Sequence, residues 1–160
     1  MHDTTLTLKI ERAISELRRG SKIVITDPNS GLSVLLMASE LIQEGTLQEL
    51  SERTLSRPNI ILSNNRCNAI GIKVANQSCS VLIDKNWTLH DILSLCMPLT
   101  GHKIPIINGV IAESNKSIVF YCLLILRQSR LLPAGLMSIV SNVAPENINQ
   151  WAFNNNLIHI

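Results

Sequence analysis

Residues 118–141, IVFYCLLILRQSRLLPAGLMSIVS, decide the fold of this chain. They predict an almost wholly apolar helix, a corner and a buried strand, because only burial removes that much hydrocarbon from water. Arg127 and Arg130 suit the negative end of the helix dipole. Pro133 is predicted to end the helix, and Gly135 to let the backbone turn into the strand. The side chains expected to contribute most burial energy are Val119, Phe120, Leu123, Leu124, Leu126, Leu131 and Leu132.

On the N-terminal side of this stretch, helical and strand patterns alternate. The turn signal at 27–31, Asp-Pro-Asn-Ser-Gly, predicts a hairpin between two apolar runs. Thr88 and Asp91 have the spacing of a capping box. The predicted helices are 4–19, 39–50, 64–70 and 89–97, and the predicted strands are 22–26, 32–37, 59–63, 78–84 and 103–107.

The C-terminal side adds a helix predicted from residue 145 to 154 and a short strand at 157–160. Helices alternate with strands, yet several strand pairs look like hairpins. This pattern predicts an α/β (α+β) fold, in which a mixed sheet is flanked by helices. With 160 residues, the chain is expected to form one domain over residues 1–160.

The composition argues against several classes of function. Hydrophobic residues make up 46% of the chain and charged residues 16%, as expected for a folded protein with a substantial core. The formal net charge is +2 and no dense basic stretch occurs, so nucleic-acid binding is not expected. No apolar run approaches the about 18–20 residues of a membrane span. The N-terminus has no apolar segment typical of a signal peptide, so we expect a cytoplasmic protein.

The four cysteines, Cys67, Cys79, Cys96 and Cys122, are widely spaced and form no Cys-x-x-Cys pair. Zinc binding is therefore not expected. Cys96 and Cys122 lie in apolar runs and are predicted to be small core residues.

Few residues stand out as candidates for chemistry. His102 follows Gly101 and precedes Pro105, a place where a polar side chain could point into a cleft or serve a structural role. Asp27 is a turn former or a metal ligand. No phosphate-binding glycine loop, nucleophile elbow or zinc motif occurs. The residues alone predict no catalytic centre.

Several segments, taken in order, resemble the 3,4-dihydroxy-2-butanone 4-phosphate synthases of riboflavin biosynthesis. Residues 10–20 resemble the opening helix of that family, and residues 57–63 resemble its Ser-Gly-Ile-Val strand. Residues 101–105, Gly-His-Lys-Ile-Pro, match its Gly-His-x-x-Pro turn. Residues 132–136, Leu-Pro-Ala-Gly-Leu, match its Lys-Pro-Ala-Gly-Val corner. The resemblance covers nearly the whole chain and implies the fold of that family.

The catalytic groups of active synthases are missing from the matching positions. Their acidic loop, Asp-Arg-Glu-Asn-Glu-Gly-Asp, supplies magnesium ligands and acid–base carboxylates, whereas residues 28–32 read Pro-Asn-Ser-Gly-Leu. Their His-Thr-Glu falls on 118–120, Ile-Val-Phe, and a later Glu falls on Ile139. Their Ser-Ala-x-Asp-Arg phosphate-binding segment has no counterpart near 86–93. The resemblance therefore implies no catalytic residue and no bound cofactor, with Asp27 and His102 as candidates for a vestigial pocket.

A second resemblance concerns domain context. Residues 16–20, Glu-Leu-Arg-Arg-Gly, and 130–134, Arg-Leu-Leu-Pro-Ala, resemble the N-terminal region of alphaproteobacterial GTP cyclohydrolase II. There a zinc-dependent catalytic domain with Cys-x-Cys ligands follows, and this sequence contains no Cys-x-Cys. The resemblance implies a non-catalytic structural or dimerisation domain, a homodimer, and a C-terminal cyclohydrolase domain as a further partner. The alternative is an active synthase that converts ribulose 5-phosphate with Mg²⁺, using His102 and acids elsewhere in the chain.

Overall fold

The structure is a computed structural model that describes residues 2–75 and 77–160, with His2 and Asp3 described only in their backbone. Within those residues, no helix combines the length and the hydrophobicity that crossing a bilayer would need. The helices are α1 (His2–Arg18), α2 (Thr46–Thr54), α3 (Asn64–Ala69), α4 (Leu89–Cys96), α5 (Ile118–Gln128) and α6 (Ile148–Asn154). The strands are β1 (Ile23–Thr26), β2 (Ser33–Ala38), β3 (Asn59–Leu62), β4 (Ser78–Leu82), β5 (Val110–Glu113), β6 (Ala134–Ile139) and β7 (Ile158–His159).

The seven strands form one sheet in the order β5-β4-β3-β6-β2-β1-β7. Neighbouring strands are antiparallel except β1 and β7, which run parallel. The sheet is therefore mixed, which confirms the predicted fold class. The predicted β1–β2 hairpin is also confirmed, with the Asp27 amide donating to the Leu32 carbonyl at 2.9 Å.

Helices cover both faces of the sheet. α1 and α5 pack on one face, whereas α2, α3, α4 and α6 pack on the other. The side chains of β1 follow this division, because successive residues of a strand point to opposite faces. Ile23 and Ile25 enter the core under α1 and α5, and Val24 enters the core on the other side.

The predicted central helix and strand are confirmed as α5 and β6. The buried face of α5 includes Val119, Leu123 and Leu126, which pack in the core shared with α1. Gly135 has a role other than the predicted turn. A Cβ there would lie 2.6 Å from the Met37 carbonyl oxygen and 3.1 Å from Cδ1 of Leu126. Glycine is needed at this position because β6 is tightly packed between β2 and α5.

Two residues predicted to be in the core are exposed. Phe120 and Leu124 retain 36% and 38% of their accessible surface, and Tyr121 beside them retains 41%. They lie on the face of α5 that turns away from the sheet, so the helix is apolar on its outer as well as its inner face. We call Phe120, Tyr121 and Leu124 the outer face of α5.

Two predicted elements are wrong. The helix predicted over 39–50 is a 3₁₀ turn at Ser39–Leu41 followed by α2, because Gly45 adopts a left-handed conformation with φ of 83° and separates the two. The strand predicted over 103–107 is irregular, and the edge strand is β5 instead, paired with β4. Pro105 has no amide hydrogen to donate to a sheet. The C-terminal helix predicted from residue 145 begins as a 3₁₀ turn, Pro145–Asn147, before α6.

Candidate functional site

Asp27 lies at the end of β1 and is engaged in its own turn. One carboxylate oxygen accepts a hydrogen bond from the Ser30 hydroxyl at 2.6 Å, and the other accepts one from the Asn29 amide at 3.0 Å. These donors hold the pKa of Asp27 below its ordinary value, with the Ser30 hydroxyl contributing most. The carboxylate stabilises the hairpin turn, as its turn-forming sequence predicts.

His102 lies in the segment that follows α4 and contacts that helix. Its Nε2 lies 3.1 Å from Oδ1 of Asp91. Asp91 belongs to the predicted capping box, which is confirmed: its Oδ2 accepts from the Thr88 amide at 2.8 Å, and its own amide donates to the Thr88 hydroxyl at 3.1 Å. The Thr88 amide, and after it His102, lower the pKa of Asp91. His102 is thus tied to the start of α4.

Asp27 and His102 are held by different parts of the fold. Asp27 belongs to the β1–β2 hairpin, whereas His102 is bonded to α4. Within residues 2–75 and 77–160, no hydrogen bond or ion pair joins these two side chains. A shared vestigial pocket for them stays a prediction.

At 118–120 and at 139, the positions that the resemblance assigns to catalytic groups carry only hydrocarbon. Ile118 and Val119 are buried in the core beneath the start of α5. Phe120 is on the outer face of α5, and Ile139 is partly exposed at the end of β6, where it pairs with Val34 of β2. In the part of the chain that the structure describes, no group of three or more His, Cys, Asp or Glu residues is placed to hold a metal ion.

A surface cleft of about 320 Å³ lies where β3 begins and β4 ends. The register that pairs Asn59 with Leu82 brings Arg57 opposite Asp84 just beyond the ladder. The Arg57 guanidinium donates to the Ile83 carbonyl at 3.5 Å, and Asp84 accepts from the Asn86 amide at 2.8 Å. The residues lining the cleft are Arg57, Leu82, Ile83, Asp84, Lys85, Asn108 and Gly109. Two cations beside one carboxylate could hold an anionic group but form no nucleophile–base pair.

The sequence alone does not reveal this cleft. Both strands were predicted, but their pairing was not, and only the pairing brings Arg57 next to Asp84 and Lys85. The signal that could have found it is the charge at the outer end of each apolar run, with Arg57 just before the first run and Asp84 and Lys85 just after the second.

A series of hydrogen-bonded polar side chains at the other end of the sheet was also not predicted from the sequence. The Nε2 of His159 lies 2.7 Å from the Thr26 hydroxyl, and its Nδ1 contacts the Asn149 side chain. Thr26 in turn bonds to the Ser33 hydroxyl at 2.7 Å. Burial, followed by the charge of Lys9, lowers the pKa of His159. These bonds link β7, β1, β2 and α6, so the role of His159 is to hold the edge of the sheet.

No protein family's sequence profile matches the chain, and no curated protein matches it at sequence level.

Structural comparison finds similar solved structures. A 3,4-dihydroxy-2-butanone 4-phosphate synthase from Candida albicans superposes with a TM-score of 0.74 at 17% identity, covering 94% of this chain and 92% of the other. A cation-free form of such a synthase gives 0.74 at 12% identity, covering 94% and 91%. A two-domain synthase from A. baumannii gives 0.73 at 11% identity. That match covers 94% of this chain but 54% of the other, so this chain spans about half of the two-domain protein.

These matches cover most of this chain, but their sequence identity is low. Nearly all of this chain superposes, so the order and packing of its elements are shared with those proteins. Identities of 11–17% carry no information about individual side chains. The chain therefore has the fold of the 3,4-dihydroxy-2-butanone 4-phosphate synthases, as its sequence resemblance implied.

Proposed function

We propose that this chain is a non-catalytic domain with the synthase fold, which serves as a structural and dimerisation domain of a riboflavin-biosynthesis protein, specifically a GTP cyclohydrolase II. The observation that carries the proposal is the hydrocarbon at the positions that the resemblance assigns to catalytic groups. Ile118 and Val119 are buried, and Ile139 ends β6 without a polar atom in its side chain.

The residues present do not fit a magnesium site. Magnesium prefers several oxygen ligands in octahedral geometry, including carboxylates. One solved synthase of similar fold, at 11% identity and a TM-score of 0.68, is a complex with two magnesium ions. In this chain the corresponding loop is 28–32, Pro-Asn-Ser-Gly-Leu, and the neighbouring Asp27 already uses both carboxylate oxygens in its own turn. We therefore derive no metal-dependent step.

The outer face of α5 supports the dimerisation part of the proposal. Phe120, Tyr121 and Leu124 present apolar surface to solvent, and the rings of Phe120 and Tyr121 meet edge to face with centroids 5.6 Å apart. Contiguous exposed apolar side chains of this kind favour association. We propose a second copy of this chain as the partner that covers them.

Catalysis is tested by incubating the purified chain with ribulose 5-phosphate and Mg²⁺ and measuring formate. We expect no formate above a protein-free blank, while an active synthase in the same buffer produces it. Circular dichroism on the same sample establishes that the chain is folded. Formate released at an ordinary enzymatic rate would overturn the non-catalytic assignment and support the alternative, an active synthase that uses His102 and other acids.

Dimerisation is tested by size-exclusion chromatography with light scattering. We expect a dimer for the native chain and a monomer for Leu124→Glu, because a carboxylate in the apolar contact would be desolvated without a partner. Phe153→Glu is the matched control, since Phe153 is 76% exposed on α6 and lies on the other side of the sheet. A native chain that stays monomeric at high concentration contradicts the proposal.

The parent protein is tested by reading the coding sequence downstream of Ile160. We expect an in-frame domain that carries a Cys-x-Cys motif, the zinc ligands of the cyclohydrolase. A different domain in frame, or a stop codon, would remove the GTP cyclohydrolase II assignment while leaving the non-catalytic assignment intact.

A further inference from the structure

Two buried cysteines lie side by side in the core beneath α3. Cys67 belongs to α3 and Cys79 to β4, and their sulfur atoms are 2.7 Å apart although they are twelve residues apart in sequence. Both are fully buried free thiols. Sulfur atoms in a disulfide are about 2.05 Å apart, so bond formation requires an approach of only about 0.7 Å.

We propose that Cys67 and Cys79 are a redox-active pair that peroxide converts into a disulfide, thereby joining α3 to β4. The proposal does not depend on the function proposed above. It assigns a covalent modification to two residues whose spacing in the sequence predicted no joint role.

The hydrogen bond between the two thiols makes them unequal. Either sulfur of the pair could donate, and the contact with the Cys79 thiol lowers the pKa of Cys67. The same bond, together with burial, raises the pKa of Cys79. Since the thiolate is the reactive form, Cys67 is the nucleophile of the pair.

The reaction balances with one peroxide molecule. The Cys67 thiolate attacks one peroxide oxygen, the O–O bond breaks, and a sulfenic acid forms. The hydroxide that leaves takes up the proton that Cys67 had released and becomes water. The Cys79 sulfur then attacks the Cys67 sulfur, and the sulfenic oxygen leaves as a second water with the proton from Cys79. Two thiols are oxidised by two electrons in total, and one peroxide is reduced to two waters.

Peroxide can reach the buried pair because the peroxide molecule is small and because α3, the helix that covers the pair, is short. α3 has only six residues, and it is followed by Gly71 in a left-handed conformation with φ of 82°. Asn68 and Ala69 at its C-terminal end are exposed. A helix this short opens locally at low cost, which lets peroxide reach Cys67 without global unfolding.

The other two cysteines are internal controls. Cys96 and Cys122 are buried on opposite faces of the sheet, and within the described residues neither has a partner thiol. Burial raises the pKa of Cys96 to about 12 and also raises that of Cys122. Neither is expected to react on the timescale of the pair.

Peptide mapping tests the link directly. Trypsin places each cysteine in a separate peptide: 67–73 (CNAIGIK), 74–85 (VANQSCSVLIDK), 86–103 and 117–127. The folded chain is treated with hydrogen peroxide, and the peroxide is quenched. The chain is then denatured in the presence of N-ethylmaleimide, which alkylates the remaining free thiols, and digested without reductant. Mass spectrometry is expected to find 67–73 joined to 74–85, with 86–103 and 117–127 alkylated, and dithiothreitol is expected to release the link.

A thermal measurement tests the structural consequence. Closing this loop is expected to raise the unfolding midpoint of the oxidised chain by about 5–10 °C over the reduced chain. Cys79→Ser abolishes both the link and the shift, whereas Cys96→Ala keeps both. Four alkylated thiols after prolonged peroxide, a link through Cys96 or Cys122, or Cys67 oxidised to sulfinic acid without a link would each overturn the proposal. The wild-type peptide map decides the question even if Cys79→Ser fails to fold.

Discussion

Helices α4 and α5 begin in opposite ways. α4 begins with a complete capping box between Thr88 and Asp91, and His102 adds a further polar contact. The N-cap residue of α5 is Ser117, whose hydroxyl is buried and has no hydrogen-bond partner among the described residues. Its first turn contains no acidic residue. Both helices bury apolar side chains, Ile92 and Leu95 among them in α4, but only α4 adds a hydrogen-bonded polar first turn.

The difference bears on function because the resemblance places catalytic groups at the start of α5. Active synthases carry His-Thr-Glu there, whereas Ile118 and Val119 of this chain are buried beneath the helix. A buried hydrocarbon contributes about 1.5–3 kcal/mol to folding but offers nothing to a metal or a proton. The comparison teaches that this end of α5 is built for packing.

The largest effect is expected for Leu126→Ala in α5. Leu126 is fully buried and packs against Gly135, so the substitution leaves a cavity that β6 cannot close. We expect a loss of about 2–5 kcal/mol in the free energy of unfolding, measured by urea titration. Leu124→Ala, on the outer face of the same helix, is the control and is expected to cost less than about 1 kcal/mol in the monomer. Equal losses for the two variants would contradict the description of α5 as a helix with distinct inner and outer faces.

A smaller effect is expected for Thr88→Ala in α4. Removing the cap leaves the Asp91 amide without its acceptor, at a cost of about 0.5–2 kcal/mol. The matched variant is Ser117→Ala in α5, which removes a buried hydroxyl that makes no capping bond. It is expected to be neutral or stabilising, because it relieves an unsatisfied polar group. Urea titration of both variants measures the contrast, and a larger loss at Ser117 would show that α5 depends on its cap after all.

The features that sequence predicted well are those specified locally. The turn at Asp27 and the capping box at Thr88 and Asp91 each require only a few adjacent residues, and both are confirmed. The mixed sheet followed from hairpin signals between apolar runs. The prediction failed where distant parts of the chain decide the outcome. Whether Phe120 is buried depends on what covers the outer face of α5, which its own helical pattern does not specify.

The candidate site was less predictable than the fold for the same reason. Asp27 and His102 were singled out by their local sequence. Asp27 stabilises its turn, as predicted, and His102 contacts α4, whereas a vestigial pocket that includes them stays a prediction. Arg57 was not identified as part of a cleft, because its position beside Asp84 depends on the β3–β4 register. The Cys67–Cys79 contact depends on that same part of the sheet and on how α3 packs against it.

The smallest effect is a dependence on pH that distinguishes the two helices. Hydrogen bonds from Thr88 and contact with His102 lower the pKa of Asp91 in the folded chain. A carboxylate with a lowered folded pKa stabilises the fold above its unfolded pKa, about 3.9, and this stability is lost as the pH falls through the folded value. In urea titrations from pH 7 to pH 3, the free energy of unfolding of Asp91→Asn is therefore expected to lie below that of the native chain at pH 7 and to fall less on acidification.

Part of the acid sensitivity remains in the Asp91→Asn variant, because Asp27 also has a lowered pKa. Ser117→Ala should keep the native pH profile, since it alters no titrating group. If Asp91→Asn and the native chain lose stability in parallel, then the Asp91 carboxylate does not stabilise α4 through its charge. The contrast between the polar first turn of α4 and the apolar first turn of α5 then rests on the neutral hydrogen bonds of the cap alone.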